Sequence, residues 1–173
     1  MERESLWDLY WLAYLLTGER DRSIHAVVET MEMEWFANRF FKKWFTTWSR
    51  KIFVARVLGR AIPETSKAEL RSRLDELQAD SEDVRSRPAW AGAGKPELEA
   101  ALLAIDPFPR RALLLTAFEK LSVEDAGILL NADRESIKLA AAIGMIELAR
   151  KLAAHAAPHD SNVEPAGALA LTA

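Results

Sequence analysis

The chain has 173 residues, of which half are hydrophobic and 28% are charged, a composition typical of a folded protein with its own core. It contains no cysteine, which excludes disulfides, thiolate metal sites and a cysteine nucleophile, and favours an intracellular setting. No apolar run reaches the roughly 18 residues of a membrane span, and the first residues lack the order of a signal peptide. We therefore expect a cytoplasmic protein with no membrane partner.

Three helices are predicted in the first part of the chain from apolar residues that recur at helical spacing. The first ends at Gly18. The second runs from Ser23, as N-cap, to about Phe36, and its predicted buried side consists of Ile24, Val27, Val28 and Met31. The third covers roughly residues 38 to 58. We assign these helices to a first domain, residues 1–62.

The charge of −3 hides a basic track in the third helix. Its seven basic residues, with no acidic one among them, are Arg39, Lys42, Lys43, Arg50, Lys51, Arg56 and Arg60. A track of this kind favours a polyanionic partner. Because aromatic residues alternate with the basic ones, the helix could hold a single nucleic-acid strand by base stacking. The alternative is that Phe40, Trp44 and Trp48, spaced four apart, form a stripe of the core.

Residues 63–95 are predicted to be a linker, because they combine a charged stretch with a segment rich in Pro, Gly and Ala. Within this linker, residues 68–78 can form a helix with Leu70, Leu74 and Leu77 on one side. Residues 96–155 are predicted to form four helices in a second domain. The tail, residues 156–173, has no periodicity and is expected to be disordered. Since no stretch alternates as a strand would, we predict an all-α fold in which a linker joins two small helical domains.

The second domain contains a helix-turn-helix pattern. Ser122 followed by Asp125 approximates a capping box, and Ala126 and Gly127 are small where two helices would cross closely. Asn131 suits the left-handed backbone of a short turn. A pair of this kind usually lays its second helix in the major groove of DNA. Any short helical pair with a serine cap would, however, show the same pattern.

This segment resembles region four of the extracytoplasmic-function sigma factors. In that family a Pro-Arg-Arg start, a Leu-Ser-x-x-Glu-x-Ala-type helix and a Ser/Thr-Val-Lys opening of the recognition helix follow one another. The matches here are Pro109-Arg110-Arg111, Leu121-Ser122, Asp125-Ala126 and Ser136-Ile137-Lys138. The resemblance implies a domain that reads promoter DNA and touches the β flap of RNA polymerase. The candidate DNA contacts are Arg110, Arg111, Arg134, Ser136 and Lys138.

The predicted recognition helix departs from the family, which usually places basic residues on its exposed face. Here residues 139–147 are mostly alanine and aliphatic residues. Alanine contacts neither phosphates nor base edges with hydrogen bonds, whereas affinity for DNA depends heavily on Lys and Arg. We therefore do not expect this domain alone to bind DNA tightly.

The first domain resembles sigma region two. Phe45-x-x-Trp48 followed by Arg50-Lys51-Ile52 is similar to the helix that captures the melted promoter strand. The candidate strand contacts are Lys42, Lys43, Trp44, Trp48, Arg50 and Lys51. Val27-Val28-Glu29-Thr30, with Trp35 beyond, is similar to the helix that binds the β′ clamp, although Val28 replaces the usual glutamine. The candidate polymerase contacts are therefore Val27, Val28, Glu29 and Thr30.

Catalysis has no candidate group of residues, and capping fully explains Ser122. His155 and His159 could suit a metal on a helix, but Pro158 interrupts the helix and no other ligand is near. We expect no catalytic residue, cofactor or metal. Two functions fit: a sigma factor that binds core RNA polymerase and promoter DNA, or a sigma-like decoy or adaptor for an anti-sigma factor. An ordinary helix-turn-helix repressor would leave the first domain unexplained.

Overall fold

The computed structural model describes residues 4–36, 42–59, 65–79 and 93–156, with side chains described for 6–32, 50–59, 65–79 and 93–154. These ranges contain helices and no strand, which confirms the predicted all-α fold. The helices are α1 (Glu4–Thr17), α2 (Arg20–Phe36), α3 (Lys42–Leu58), α4 (Lys67–Ala79), α5 (Lys95–Leu103), α6 (Pro107–Leu113), α7 (Val123–Leu130) and α8 (Arg134–Ala156), with a π-helical turn (Leu114–Phe118) after α6. No described helix is both long enough and apolar enough to cross a membrane. The tail from residue 157 onward, predicted to be disordered, lies outside the described residues.

Helices α1, α2 and α3 pack against one another as a three-helix unit. The core side of α1 includes Leu12 and Leu16, and α3 contributes Phe53 and Val57, all of which are buried. Gly18 and the residue after α3, Gly59, have φ angles of 77° and 61°, a left-handed conformation that costs glycine little. The predicted end of the first helix at Gly18 is thus present.

Helix α2 is rotated relative to the sequence prediction. It begins at Arg20 instead of Ser23, and the residues that it buries are Ser23, Ala26 and Thr30, with Val27 half-buried. Ile24, Val28 and Met31, predicted to lie on the buried side, are 51%, 47% and 47% exposed. Small side chains let the helix axes approach closely, so the larger apolar residues lie outside this contact. The prediction of the buried side was therefore wrong for these three positions.

The predicted linker contains a packed helix. Helix α4 lies along α8 and buries Leu70, while Leu74 and Leu77 pack against the core in part. At one end Lys67 and Arg71 form ion pairs with Glu135, the second residue of α8. Residues 67–79 therefore belong structurally with the helices of the second half, whereas residues 80–92 lie outside the described ranges.

The two halves are in direct contact. Helix α1 packs against α5 and α6, and α3 packs against α7, so that the buried residues form one continuous core. Trp11 Nε1 donates a hydrogen bond to Oε2 of Glu99 on α5 at 3.1 Å. Arg111 on α6 donates from Nε to the carbonyl oxygen of Leu16 at 3.0 Å, which satisfies an orphan acceptor in the last turn of α1. The contacts hold the three-helix unit on the helix-turn-helix.

Candidate functional site

The helix-turn-helix is built from local capping interactions. Ser122 accepts a hydrogen bond from the Asp125 amide at 3.0 Å, and Asn131 adopts the left-handed conformation with φ 51°. Gly127 is required where α7 approaches the turn, because a Cβ there would lie 2.7 Å from the Ala132 carbonyl oxygen. The predicted cap at Ser122 and the predicted turn at Asn131 are both present.

Asp133 caps the start of α8. Its Oδ1 accepts from the amides of Glu135 and Ser136 at 2.9 and 3.0 Å, and its Oδ2 accepts from the Ser136 hydroxyl at 2.8 Å. The hydrogen bonds from Ser136, helped by the Lys67 cation, lower the pKa of Asp133 to about 2. Ser136, a candidate DNA contact, is buried and its hydroxyl serves this cap.

The alanine-rich part of α8 is largely packing surface. Ala140 and Ile143 are fully buried, and a Cβ on Gly144 would lie 2.7 Å from the Pro109 carbonyl oxygen and 3.0 Å from Leu113 Cβ. Helices α6 and α8 thus cross at Gly144, in close contact. The outer side of α8 exposes Lys138, together with Met145.

Arg110, a candidate DNA contact, is buried. Its Nη1 donates to the carbonyl oxygens of Leu103 and Ile105 at 2.9 and 3.3 Å, so the guanidinium closes the end of α5. Burial lowers the pKa of Arg110, and its buried Nε has no hydrogen-bond partner among the described residues. A side chain in this position supports the fold and does not reach the surface of the helix-turn-helix. Its neighbour Arg111 donates to α1, as described above.

The two described basic candidates of α3 contact the helix-turn-helix. Arg50 forms two hydrogen bonds with the Glu119 carboxylate, one of them from Nη2 to Oε1 at 2.8 Å. Lys51 Nζ lies 2.9 Å from Oδ2 of Asp125. The hydrogen bond to Glu119 raises the pKa of Arg50, and the hydrogen bond from Lys51 lowers that of Asp125. Sequence reasoning had no means of pairing residues about 70 positions apart.

The other candidates of α3 lie where side chains are not described. Lys42, Lys43, Trp44 and Trp48 belong to the helix, but side-chain description of α3 begins at Arg50. On α8, Arg134 pairs through Nη2 with Oε1 of Glu124 at 2.7 Å, and both side chains are exposed.

The candidate polymerase contacts on α2 are divided between core and surface. Val27 is half-buried, and Thr30 is buried with its hydroxyl donating to the Ala26 carbonyl oxygen at 2.8 Å. Glu29 forms an ion pair with Arg56 on α3 (2.8 Å), and its Oε1 lies 3.3 Å from Nε2 of His25. Val28 is the candidate with an exposed apolar side chain.

Ile24 and Met31 extend this exposed surface, although sequence reasoning placed them in the core. Together with Val28 they follow the spacing i, i+4, i+7, and we name these three residues the α2 stripe. The same spacing predicts a buried face and an exposed apolar face equally well. The distinguishing signal was the row of small residues at 23, 26 and 30, which marks a close helix contact.

No protein-family model, curated protein or solved structure matches this chain. The grounds for a functional proposal are therefore the sigma-like motifs and the geometry of three surfaces. These are the α2 stripe, the contact between α3 and the helix-turn-helix, and the outer side of α8.

Proposed function

We propose that the chain is a sigma factor of extracytoplasmic-function type, which binds core RNA polymerase in the cytoplasm and directs promoter-specific initiation. The observation that carries the proposal is the α2 stripe. It lies in the segment that resembles the clamp-binding helix of sigma region two, and it presents apolar side chains to solvent. Adjacent exposed apolar residues mark surfaces for other proteins more often than single ones do.

The orientation of α2 is fixed by its neighbours. Ser23, Ala26 and Thr30 face the core, and the Glu29–Arg56 ion pair ties one flank of the helix to α3. Since residues advance by about 100° around a helix, the α2 stripe lies about 130° from the buried row, on the flank opposite Glu29. A partner that covers the stripe would not have to displace α3. We propose that this partner is the β′ clamp of core RNA polymerase.

Nucleic-acid contact is assigned to two other regions. On α8, Lys138 and Arg134 are exposed and fit a role at promoter phosphates. On α3, the candidates for the melted strand are Lys42, Lys43, Trp44, Trp48, Arg50 and Lys51. The helix-turn-helix would touch the β flap, as the resemblance implies.

Transcription in vitro tests the proposal. Core polymerase supplied with this protein should produce specific transcripts from promoters of the organism that encodes it. The double variant V28D/M31D should reduce the yield at least about tenfold, because hot-spot residues at an interface each contribute about 2 kcal/mol or more. W7D, which places an aspartate on an exposed apolar residue of α1 to which no polymerase or DNA contact is assigned, is the control for binding to core. Absence of both transcript and core binding with the parent protein would refute the proposal.

A second candidate function is a sigma-like adaptor or decoy that engages an anti-sigma factor without binding DNA strongly. It is favoured by the number of candidate cations that have partners within the chain: Arg50, Lys51, Arg110, Arg111 and Arg134. An adaptor would bind an anti-sigma factor and yield no transcript with core polymerase. A promoter-specific transcript would rule this candidate out.

A further inference from the structure

The contact between α3 and the helix-turn-helix is made by two ion pairs side by side. Consecutive cations of α3, Arg50 and Lys51, reach Glu119 and Asp125. The Glu119 side chain is only 8% exposed, and it engages the guanidinium through both carboxylate oxygens. This is the two-pronged geometry that arginine also makes with phosphate.

The backbone places both acids for this contact. The π-helical turn ends with the Glu119 amide donating to the Leu114 carbonyl oxygen at 2.9 Å, a wider loop than an α-helix would make. Lys120 then adopts a left-handed φ of 54°, which turns the chain into α7. Asp125 lies in the first turn of α7, where the helix dipole favours a carboxylate. The two acids therefore flank the turn and face α3.

We propose that these ion pairs form an autoinhibitory contact. Glu119 and Asp125 bind Arg50 and Lys51 as nucleic-acid phosphates would. A melted strand must therefore displace the helix-turn-helix from α3 before it can bind there. The inference rests on the proposed function only for the identity of the competitor, a single DNA strand. We call the two ion pairs the α3–α7 latch.

The latch is the part of the interface that a polyanion can compete for. Other contacts between the halves, such as Trp11 with Glu99 and Arg111 with the Leu16 carbonyl, join α1 to α5 and α6. Lys51 and Asp125 are each about 40% exposed, so salt and competing anions can reach them. Opening the latch would release Arg50 and Lys51 from their carboxylates while α1 stays packed on α6.

A distance measurement tests whether the latch holds the two elements together. Because the chain has no cysteine, spin labels can be attached at A55C on α3 and I128C on α7, both exposed positions, and their separation measured by electron paramagnetic resonance. The variant E119Q/D125N should show a longer and broader distance distribution than the parent. The control D75N/E97Q has the same change in net charge but alters exposed carboxylates on α4 and α5, outside the latch, and it should match the parent.

Binding of a fluorescent single-stranded DNA oligonucleotide provides the second measurement. E119Q/D125N should bind it about three- to tenfold more tightly than the parent, the range expected when two ion pairs that salt can reach from one side no longer compete. The control D75N/E97Q should gain less than about twofold, since it shares only the long-range effect of removing charge. Thermal unfolding of each variant tests whether the amide substitutions leave the fold intact.

Two results would overturn the latch: an unchanged distance in E119Q/D125N, or an opened distance without a gain in strand affinity over the control. If E119Q/D125N proved unstable, raising salt from about 0.05 M to about 0.5 M should lengthen the same distance in the parent, and a constant distance would equally refute it. Failure of the proposed function is separate. If the chain opens and binds the strand but does not bind core polymerase, the latch is supported and the proposal of a sigma factor is refuted.

Discussion

Helices α2 and α8 carry the two motifs that resemble polymerase-binding and DNA-reading helices, and they differ in which of their side chains are buried. Helix α2 buries small residues and leaves Ile24, Val28 and Met31 outside. Helix α8 buries much of its apolar sequence, including Ala140 and Ile143, and closes tightly on α6 at Gly144. A helix's surface therefore depends on what its neighbours cover as much as on its own sequence. Helix α2 thus leaves an apolar stripe uncovered, whereas α8 is mainly a packing element.

The largest expected effect is a loss of stability at the contact between α6 and α8. G144V places a branched side chain where Cβ alone would lie 2.7 Å from a backbone oxygen of Pro109. Because backbone cannot yield as a flexible side chain can, we expect a loss of about 3 kcal/mol in the free energy of unfolding. Urea denaturation measures it, with A142V on the outer part of α8 as the control, for which about 0.6 kcal/mol is expected from helix propensity. Equal losses for both variants would mean that α6 does not cross α8 at Gly144.

A second pair of variants tests the orientation of α2. A26D buries a carboxylate in the core row and should cost about 3 kcal/mol of stability, whereas V28D on the stripe should cost less than about 1 kcal/mol. Urea denaturation of both variants under the same conditions gives the comparison. If V28D were the more damaging change, the stripe would belong to the core, as the periodicity alone suggested.

The smallest effect concerns the cap of α8 and its pH dependence. The pKa of Asp133 is held at about 2, below its usual 3.8, by the hydrogen bonds from Ser136. A depressed carboxyl pKa stabilises the fold above the unfolded-state value, and this stabilisation is lost as pH falls through the folded-state value. The parent should therefore melt at a higher temperature than D133N near pH 5, and this difference should disappear towards about pH 2. A difference that does not change with pH would show that the cap does not depend on the charge of Asp133.

Features determined by neighbouring residues could be predicted from the sequence. Ser122 caps α7 through an amide three residues away, and Asn131 turns the chain by its own backbone preference. Gly18 ends α1 for the same local reason. The all-α class followed from the apolar spacing along the whole chain.

Features that depend on distant contacts could not be predicted. The spacing of Ile24, Val28 and Met31 fits a buried face as well as an exposed one, and the choice depends on which helix packs nearby. Arg110 had the charge of a surface residue, yet it closes the end of α5 in the core. The partner of Arg50 lies 69 residues away in the chain, so the latch could be found only in the folded structure.

Photocrosslinking tests the central claim most directly. With p-benzoylphenylalanine at Val28 on the α2 stripe, or at Met145 on α8 as the control, the labelled protein is mixed with core RNA polymerase and irradiated. The account predicts a crosslink from position 28 to the β′ subunit and none to β′ from position 145. A protein that binds core polymerase but crosslinks to β′ only from position 145, or from neither position, would contradict the assignment of α2 as the polymerase contact.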